Sequence, residues 1–298
     1  MIRPASEWKP EIEGSFANLP SERYHAAPGF SHSASMWLDP PARFQYRNVE
    51  KPTQYMILGT LAHAMALEPD KPLPSVVMRP SQYPAPPDSS LVKTKKVAVG
   101  DLVDWNGNAN YCKKWMADQE AAGLIVLTQV EMDELDGMVR TVNAHDVVGP
   151  VLRNSITEVS IFHAHVDGDD MVLRKCRIDA VPVGKNALLD YKTVDEASDD
   201  AAFKKLEYDG WDTQAANNLD LWNYQNPEDY RDQFGYVMIE RKPPHIIKLI
   251  RVSQGYLERG RQKMAERIHV YARCVRENKW PGYPSEWVTI EPRRRNYA

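Results

Sequence analysis

Between Glu158 and Lys192 the chain alternates polar and apolar residues in three successive runs, and this constrains the fold more than any other feature. Glu158–Asp167 alternates, Gly168-Asp169-Asp170 is a turn signal, and Met171–Val183 alternates again. Two such runs around a glycine-bearing turn predict a β-hairpin. A second turn, Gly184-Lys185-Asn186, leads to a third predicted strand, Ala187–Lys192. Successive side chains of a strand point to opposite faces. Asp190 and Lys192 therefore share one face, and Leu189 and Tyr191 the other. Arg177 and Asp179 share a face of the preceding strand, and Glu158 opens the strand before that. The expectation is three carboxylates and a lysine converging at one edge of a sheet, with Asp190 at the end of a buried strand.

Helical periodicity dominates elsewhere. Tyr55–Glu68 is apolar at helical spacing, carries His63 as its polar ring and stops at Pro69. Ser31 or Ser33 is placed to cap a short helix through Trp37, closed by Pro40-Pro41. Residues 108–122 read as a helix, and Thr128 with Glu131 has the capping-box spacing for another to about Ala144. Helices are also expected from Asp199 to Tyr208, from near Asp212 with Gln214 aboard, and from Gln254 to Asn278 with Leu257, Met264, Ile268, Tyr271 and Val275 as its apolar stripe. Strands are expected at Gln233–Glu240 and Ile246–Arg251. Residues 1–30 read as irregular, and 70–100 as a proline-rich loop or extended insertion. The predicted class is α/β, a central mixed β-sheet flanked by α-helices, with N-terminal helical additions. One domain is expected over 1–298: a mainly helical part over 1–150, a sheet with its helices over 151–285, and a basic tail over 286–298 with Arg293-Arg294-Arg295.

Composition narrows the function classes. With 43% hydrophobic and 26% charged residues, the chain is neither disordered nor low-complexity. No run approaches the ~20 apolar residues of a membrane span, and the first residues lack the apolar stretch of a secretory signal, so a cytoplasmic protein without membrane contact is expected. Three dispersed cysteines, Cys112, Cys176 and Cys274, suggest free thiols. Residues 241–298 hold 14 basic and 5 acidic side chains, a segment of +9 after a body of −13. Such a segment suits a polyanion or a solvated helix face, and charge alone favours the second. Neither GxGxxG nor GxxxxGK[ST] occurs, which disfavours Rossmann and P-loop enzymes.

Clustered carboxylates repel and raise one another's pKa. A hard divalent cation relieves that repulsion and prefers oxygen ligands. Mg²⁺ held by two or so carboxylates can polarise a phosphate and acidify a bound water, while an ammonium balances charge growing on phosphorus. Carboxylate, carboxylate, x, lysine is thus a sensible nuclease core. A D-x-K triplet by itself is common on salt-bridged strand faces; Asp179 and Glu158 on the neighbouring strands tip the balance.

The ordered set Glu158, Arg177-Ile-Asp179, Leu-Leu-Asp190-Tyr-Lys192-Thr193 and Gln214-Ala-Ala resembles the PD-(D/E)XK nuclease superfamily. It is most similar to the RecE-type branch, the exonuclease VIII family of phage and prophage. Tyr24-His25 with Phe30-Ser31-His-Ser33, Gly59-Thr60-Leu-Ala-His63 through Leu67-Glu68-Pro69, and Lys279-Trp280-Pro281-Gly282-Tyr283 resemble further motifs of that branch. The likeness spans roughly residues 22–285 and implies a restriction-endonuclease-like core. It also implies roles. Asp179 and Asp190 would be the principal Mg²⁺ ligands, with Mn²⁺ expected to substitute. Glu158, His63 and the Tyr191 carbonyl would complete the pocket. Lys192 would activate water or steady the transition state, and Gln214 would support the site or the scissile phosphate. Arg177, Arg174 and Thr193 would contact DNA. The branch degrades one strand of linear double-stranded DNA from its 5′ end, leaving a 3′ single strand for an annealing partner in recombination. It implies a ring-shaped homo-oligomer, commonly a tetramer, inside a bacterial host. One departure stands out: where the branch carries a tyrosine four residues after the glutamine, this chain has Asn218. Two alternatives are a Cas4-like or RecB-like nuclease, whose iron–sulfur forms need four cysteines, and a catalytically silent DNA-binding or scaffold protein.

Overall fold

The computed structural model describes residues 1–10, 12–47, 52–69, 71 and 74–290. Among the described residues seven strands form one mixed sheet whose spatial order follows the chain: β1 (Ile2–Pro4), β2 (Gly14–Ala17), β3 (Ser155–Asp167), β4 (Asp170–Pro182), β5 (Ala187–Val194), β6 (Gln233–Glu240) and β7 (Ile247–Arg251). The predicted hairpin is its spine. β3 and β4 pair antiparallel from Ser155↔Pro182 to Asp167↔Asp170, and Gly168 turns the chain at φ +60°. β5 pairs antiparallel with β4 and parallel with β6, with Asp190 opposite Tyr236. A parallel neighbour requires a crossover, and two helices supply it, at Asp199–Tyr208 and Trp211–Gln225.

The longer helices are α1 (Gln54–Leu67), α2 (Asn110–Ala121), α3 (Gln129–Ala144), α4 (Val148–Arg153), α5 (Asp199–Tyr208), α6 (Trp211–Gln225) and α7 (Gln254–Glu277). Hydroxyl caps start several of them: Thr53 on α1, Ser198 on α5 and Ser253 on α7. Thr128 and Glu131 form the predicted capping box on α3. Both faces of the sheet are covered. Leu58, Leu61, Leu135, Met138, Tyr191 and Val237 form a core under α1 and α3. Val159, Ile178, Leu188, Leu219, Trp222, Phe234 and Leu257 form another under α6 and α7. Burial on both sides explains why the central strands are so apolar.

The structure corrects several expectations. Residues 1–30 contain β1, β2 and a helix at Ser21–Ala26 rather than irregular chain. β2 pairs with β3 through Gly14↔Phe162, Ser15↔Ile161 and Phe16↔Ser160. Strands of three or four residues take their stability from a distant partner, so local pattern does not reveal them. The 70–100 insertion contributes Val76–Met78, which pairs with Ile125–Leu127, and Gln82–Pro84, which pairs with Leu102–Asp104. On α7, Val275 is exposed and Cys274 is buried in its place. Arg293, Arg294 and Arg295 lie outside the described residues. All three cysteines are buried and free, and among the described residues no helix is long and apolar enough to cross a membrane.

Candidate metal centre

Strand register assembles the centre. The β3–β4 ladder runs through Thr157↔Ala180 and Val159↔Ile178, which sets Glu158 opposite Asp179. The Ala180↔Leu189 pair then brings Asp179 beside Asp190. The three carboxylates thus form a row across β3, β4 and β5, the middle strands of seven. They do not meet at an edge of the sheet, and Asp190 sits at mid-strand rather than at a strand end. Two covering layers bury a residue that alternation alone placed at a boundary: Asp190 is only 1% exposed. Glu158 holds φ at +55°, a conformation that costs a non-glycine residue about 1–3 kcal/mol and concentrates at functional sites.

α1 brings His63 to the row from the other side. Its Nε2 lies 3.6 Å from Asp179 Oδ2 and its Nδ1 4.0 Å from Glu158 Oε1. The same Nε2 is 2.5 Å from the Tyr191 carbonyl oxygen. The Tyr191 N–H donates to Asp179 Oδ2 at 2.8 Å. One donor atom each from His63, Glu158 and Asp179 fall within 4.8 Å of one another. Lys192 and Asp190 share a face as alternation requires, with Nζ 2.7 Å from Oδ2. Gln214, in the first turn of α6, donates to Asp190 Oδ1 at 2.6 Å. Arg177 Nε donates to Glu158 Oε2. Lys192 also stands 5.8 Å from the ring of Trp211, a partner that the sequence did not flag.

The electrostatics follow from burial and from charges held close together. Burial and the neighbouring Asp190 charge push the Asp179 carboxyl up to about 7. Burial pulls the His63 imidazole down, but Asp179 and the bond to Glu158 outweigh it and raise it to about 9. For Lys192, burial is outweighed by Asp190 and Asp179, so its ammonium is strengthened. Burial works against the Glu158 carboxylate, yet His63 and Arg177 hold it below its ordinary range. Buried carboxylates that share one another's repulsion, with an imidazole and the Tyr191 carbonyl beside them, are a donor set that suits a hard or borderline divalent ion.

Two expected DNA contacts, Arg174 and Thr193, fall apart from this cluster. Arg174 is buried, and its Nη2 donates to Asn217 Oδ1 at 2.8 Å. Thr193 lies on the α1 face, where its Oγ1 would be 3.2 Å from a Cβ at Gly59, and its carbonyl accepts from the Tyr55 hydroxyl. Both are engaged in packing rather than presented beside Asp190. Asn218, at the position of the expected tyrosine, is buried and its side-chain oxygen accepts from Asn217 Nδ2 at 3.5 Å. The structure also explains Tyr24 and His25. Buried Lys175 donates to the carbonyls of Tyr24 and Ala27 at 3.0 and 2.6 Å, which pins this segment over β4. The Tyr24 ring then lies 5.9 Å from Arg177.

Comparison with known proteins agrees with this architecture. The model of a family described as a PDDEXK-like domain of unknown function (DUF3799) matches residues 40–289. The chain belongs to that family, and its fold is restriction-endonuclease-like. The crystal structure of a candidate exonuclease from Eubacterium rectale superposes with TM-score 0.52 at 12% identity, covering 90% of this chain and 96% of that one. A second structure, SSO0001, reaches TM-score 0.27 at 18% identity over 46% of this chain and 68% of that one, too distant to bear on the fold. No curated protein matches the sequence.

Proposed function

We propose that the protein is a divalent-metal-dependent exodeoxyribonuclease of RecE type, which hydrolyses linear double-stranded DNA from the 5′ end and leaves 3′ single strands for recombination. The observation that carries this reading is the buried row Glu158, Asp179, Asp190 with Lys192 Nζ 2.7 Å from Asp190 and His63 across the row. Membership of a PDDEXK-like family supports it. Arg177 pairs with Glu158 and Lys192 with Asp190, while Asp179 lies between the other two carboxylates with His63 beside it, and burial and the Asp190 charge raise its pKa, a repulsion that a bound cation would relieve.

Asp179, Asp190, Glu158, His63 and the Tyr191 carbonyl would hold the metal, Mg²⁺ with Mn²⁺ as substitute. When bound, the ion supplies Lewis acidity toward the scissile phosphate and acidifies its water. The chain's own residues do the rest. Gln214 fixes the Asp190 carboxylate by bonding one oxygen and leaving the other toward Lys192. Lys192 holds a positive charge at the end of that carboxylate, where charge builds on the phosphoryl oxygens. Arg177 orients Glu158 and keeps it ionised. The fold places these groups on rigid central strands, which limits reorganisation during hydrolysis.

Exonuclease action separates from endonuclease action by topology. Linear duplex and a covalently closed circle of the same sequence should be incubated with Mg²⁺. Loss of the linear form with the circle intact supports the reading; cutting of the circle contradicts it. The ring-shaped homo-oligomer, an annealing partner and a place in the bacterial cytoplasm belong to the same proposal.

A further inference from the structure

Two cavities open beside the metal centre and share a wall. The smaller, about 180 Å³, is lined by Arg177 and Gln214, the side chains that bond Glu158 and Asp190. Tyr24, His25, Ser31, Ser33 and Lys175 line it and also line a chamber of about 840 Å³. The two cavities therefore adjoin along this shared wall, and Arg177 and Gln214 connect the smaller one to the carboxylate row. Beyond the shared wall the lining changes character to Trp37, Met56, Tyr271 and Arg47.

Arg47 ends a stacked column. Trp280 and Phe44 lie parallel, 6° apart with centroids at 5.0 Å, and the Arg47 guanidinium caps Phe44 at 3.9 Å. A bond from Arg47 Nη1 to the Phe44 carbonyl at 2.8 Å holds the guanidinium in place. A guanidinium plane and aromatic faces are what unpaired nucleobases stack on. A closed duplex hides its base faces and offers this lining nothing. The chamber has the size of a small-molecule pocket, too small for a double helix.

We infer that the chamber is a binding site for unpaired nucleotides, which lodges a base against Arg47 and Trp37 while the backbone of the same strand passes Arg177 toward the metal centre. This rests on the nuclease reading for the role of that strand, though the binding itself does not require cutting. It assigns a function to the N-terminal Tyr24–Arg47 segment: it holds an unpaired strand beside the carboxylate row.

The test is fluorescence anisotropy in EDTA, where nothing is cut, with a short labelled oligothymidine strand as probe and a blunt duplex as comparison. Arg47→Ala removes the end of the column. Ser33→Trp fills the shared wall from an exposed position on a short helix, away from the core. Each variant should weaken single-strand binding about tenfold, the worth of one stacked base, with unchanged circular dichroism. Wild-type affinity for the strand in both variants, or no strand binding by the wild-type protein, overturns the assignment. Mg²⁺-dependent hydrolysis is scored in parallel. Variant-sensitive binding without any cutting by the wild type discards the nuclease reading and keeps the chamber. Full cutting and full binding by both variants does the reverse.

Discussion

At the scale of single residues, each carboxylate of the row has a different neighbour, and this fixes what each substitution should do. Asp190 is bonded by Gln214 and Lys192, Glu158 by Arg177, and Asp179 by the Tyr191 N–H. Asp190→Ala and Lys192→Ala should each lower hydrolysis by about a hundredfold or more, the scale of losing one preorganised charge, while circular dichroism stays unchanged. Wild-type turnover in either purified variant would remove them from the site. His63→Ala should leave the carboxylates in place yet raise the Mg²⁺ concentration for half-maximal activity by about tenfold. An unchanged titration would make His63 a packing residue. Much of this was readable beforehand, because a period of two puts Asp190 and Lys192 on one face whatever the tertiary context. What was not readable depends on three dimensions: the positive φ of Glu158, the burial of Arg174 against Asn217, and the turn of Thr193 toward Gly59.

At the scale of elements, the position of Gln214 depends on how α6 is anchored to α7. Asp212, fully buried, accepts from Arg259 Nε and Lys263 Nζ, each at 2.8 Å, and from its neighbour Thr213 N–H. The two helices touch at Gly260, where a Cβ would lie 2.2 Å from the Asp212 carbonyl oxygen. Gly260→Ala must therefore push α7 off α6, at a cost of about 1–3 kcal/mol for overpacking. Chemical denaturation should show that loss, with a matching fall in activity as Gln214 shifts. Unchanged stability would mean the contact is loose. Burial opposes ionisation of Asp212, but its bonds to Lys263 and Arg259 win and its pKa is lowered. A lowered folded-state pKa adds stability above the unfolded value near ~3.9 and loses it as pH falls through the folded one. The stability gap between wild type and Asp212→Asn should thus be largest near neutrality and shrink toward pH 3. A gap that widens on acidification would contradict the ion-pair account. Helix starts such as the Thr128–Glu131 box were legible because caps are local chemistry. β1 and β2 were not, because Ile2–Pro4 and Gly14–Ala17 become strands only by pairing at the sheet's edge.

At the scale of the whole molecule, two apolar layers enclose a sheet that carries its charged row in the middle, so the row proposed as the hydrolytic centre is also a weak point of the fold. A ligand bound only by the folded state stabilises it, by about 2.7 kcal/mol at a hundred times its dissociation constant. Saturating Mg²⁺ should raise the melting temperature by about 5 °C or more for a chain of this size, and the rise should vanish in Asp179→Asn/Asp190→Asn. An equal rise in that variant would place the ion elsewhere. Light scattering coupled to gel filtration tests the ring: a mass near four chains agrees with it, and a monomer contradicts it. The most direct test of the central claim is a time course on linear duplex DNA with one strand labelled at its 5′ end and the other at its 3′ end. The protein should remove the 5′ label in Mg²⁺ while the 3′-labelled strand persists, and do neither in EDTA nor as Lys192→Ala. No cleavage by the wild type with any divalent cation, or equal cleavage by Lys192→Ala, would contradict the assignment of this row as a hydrolytic site.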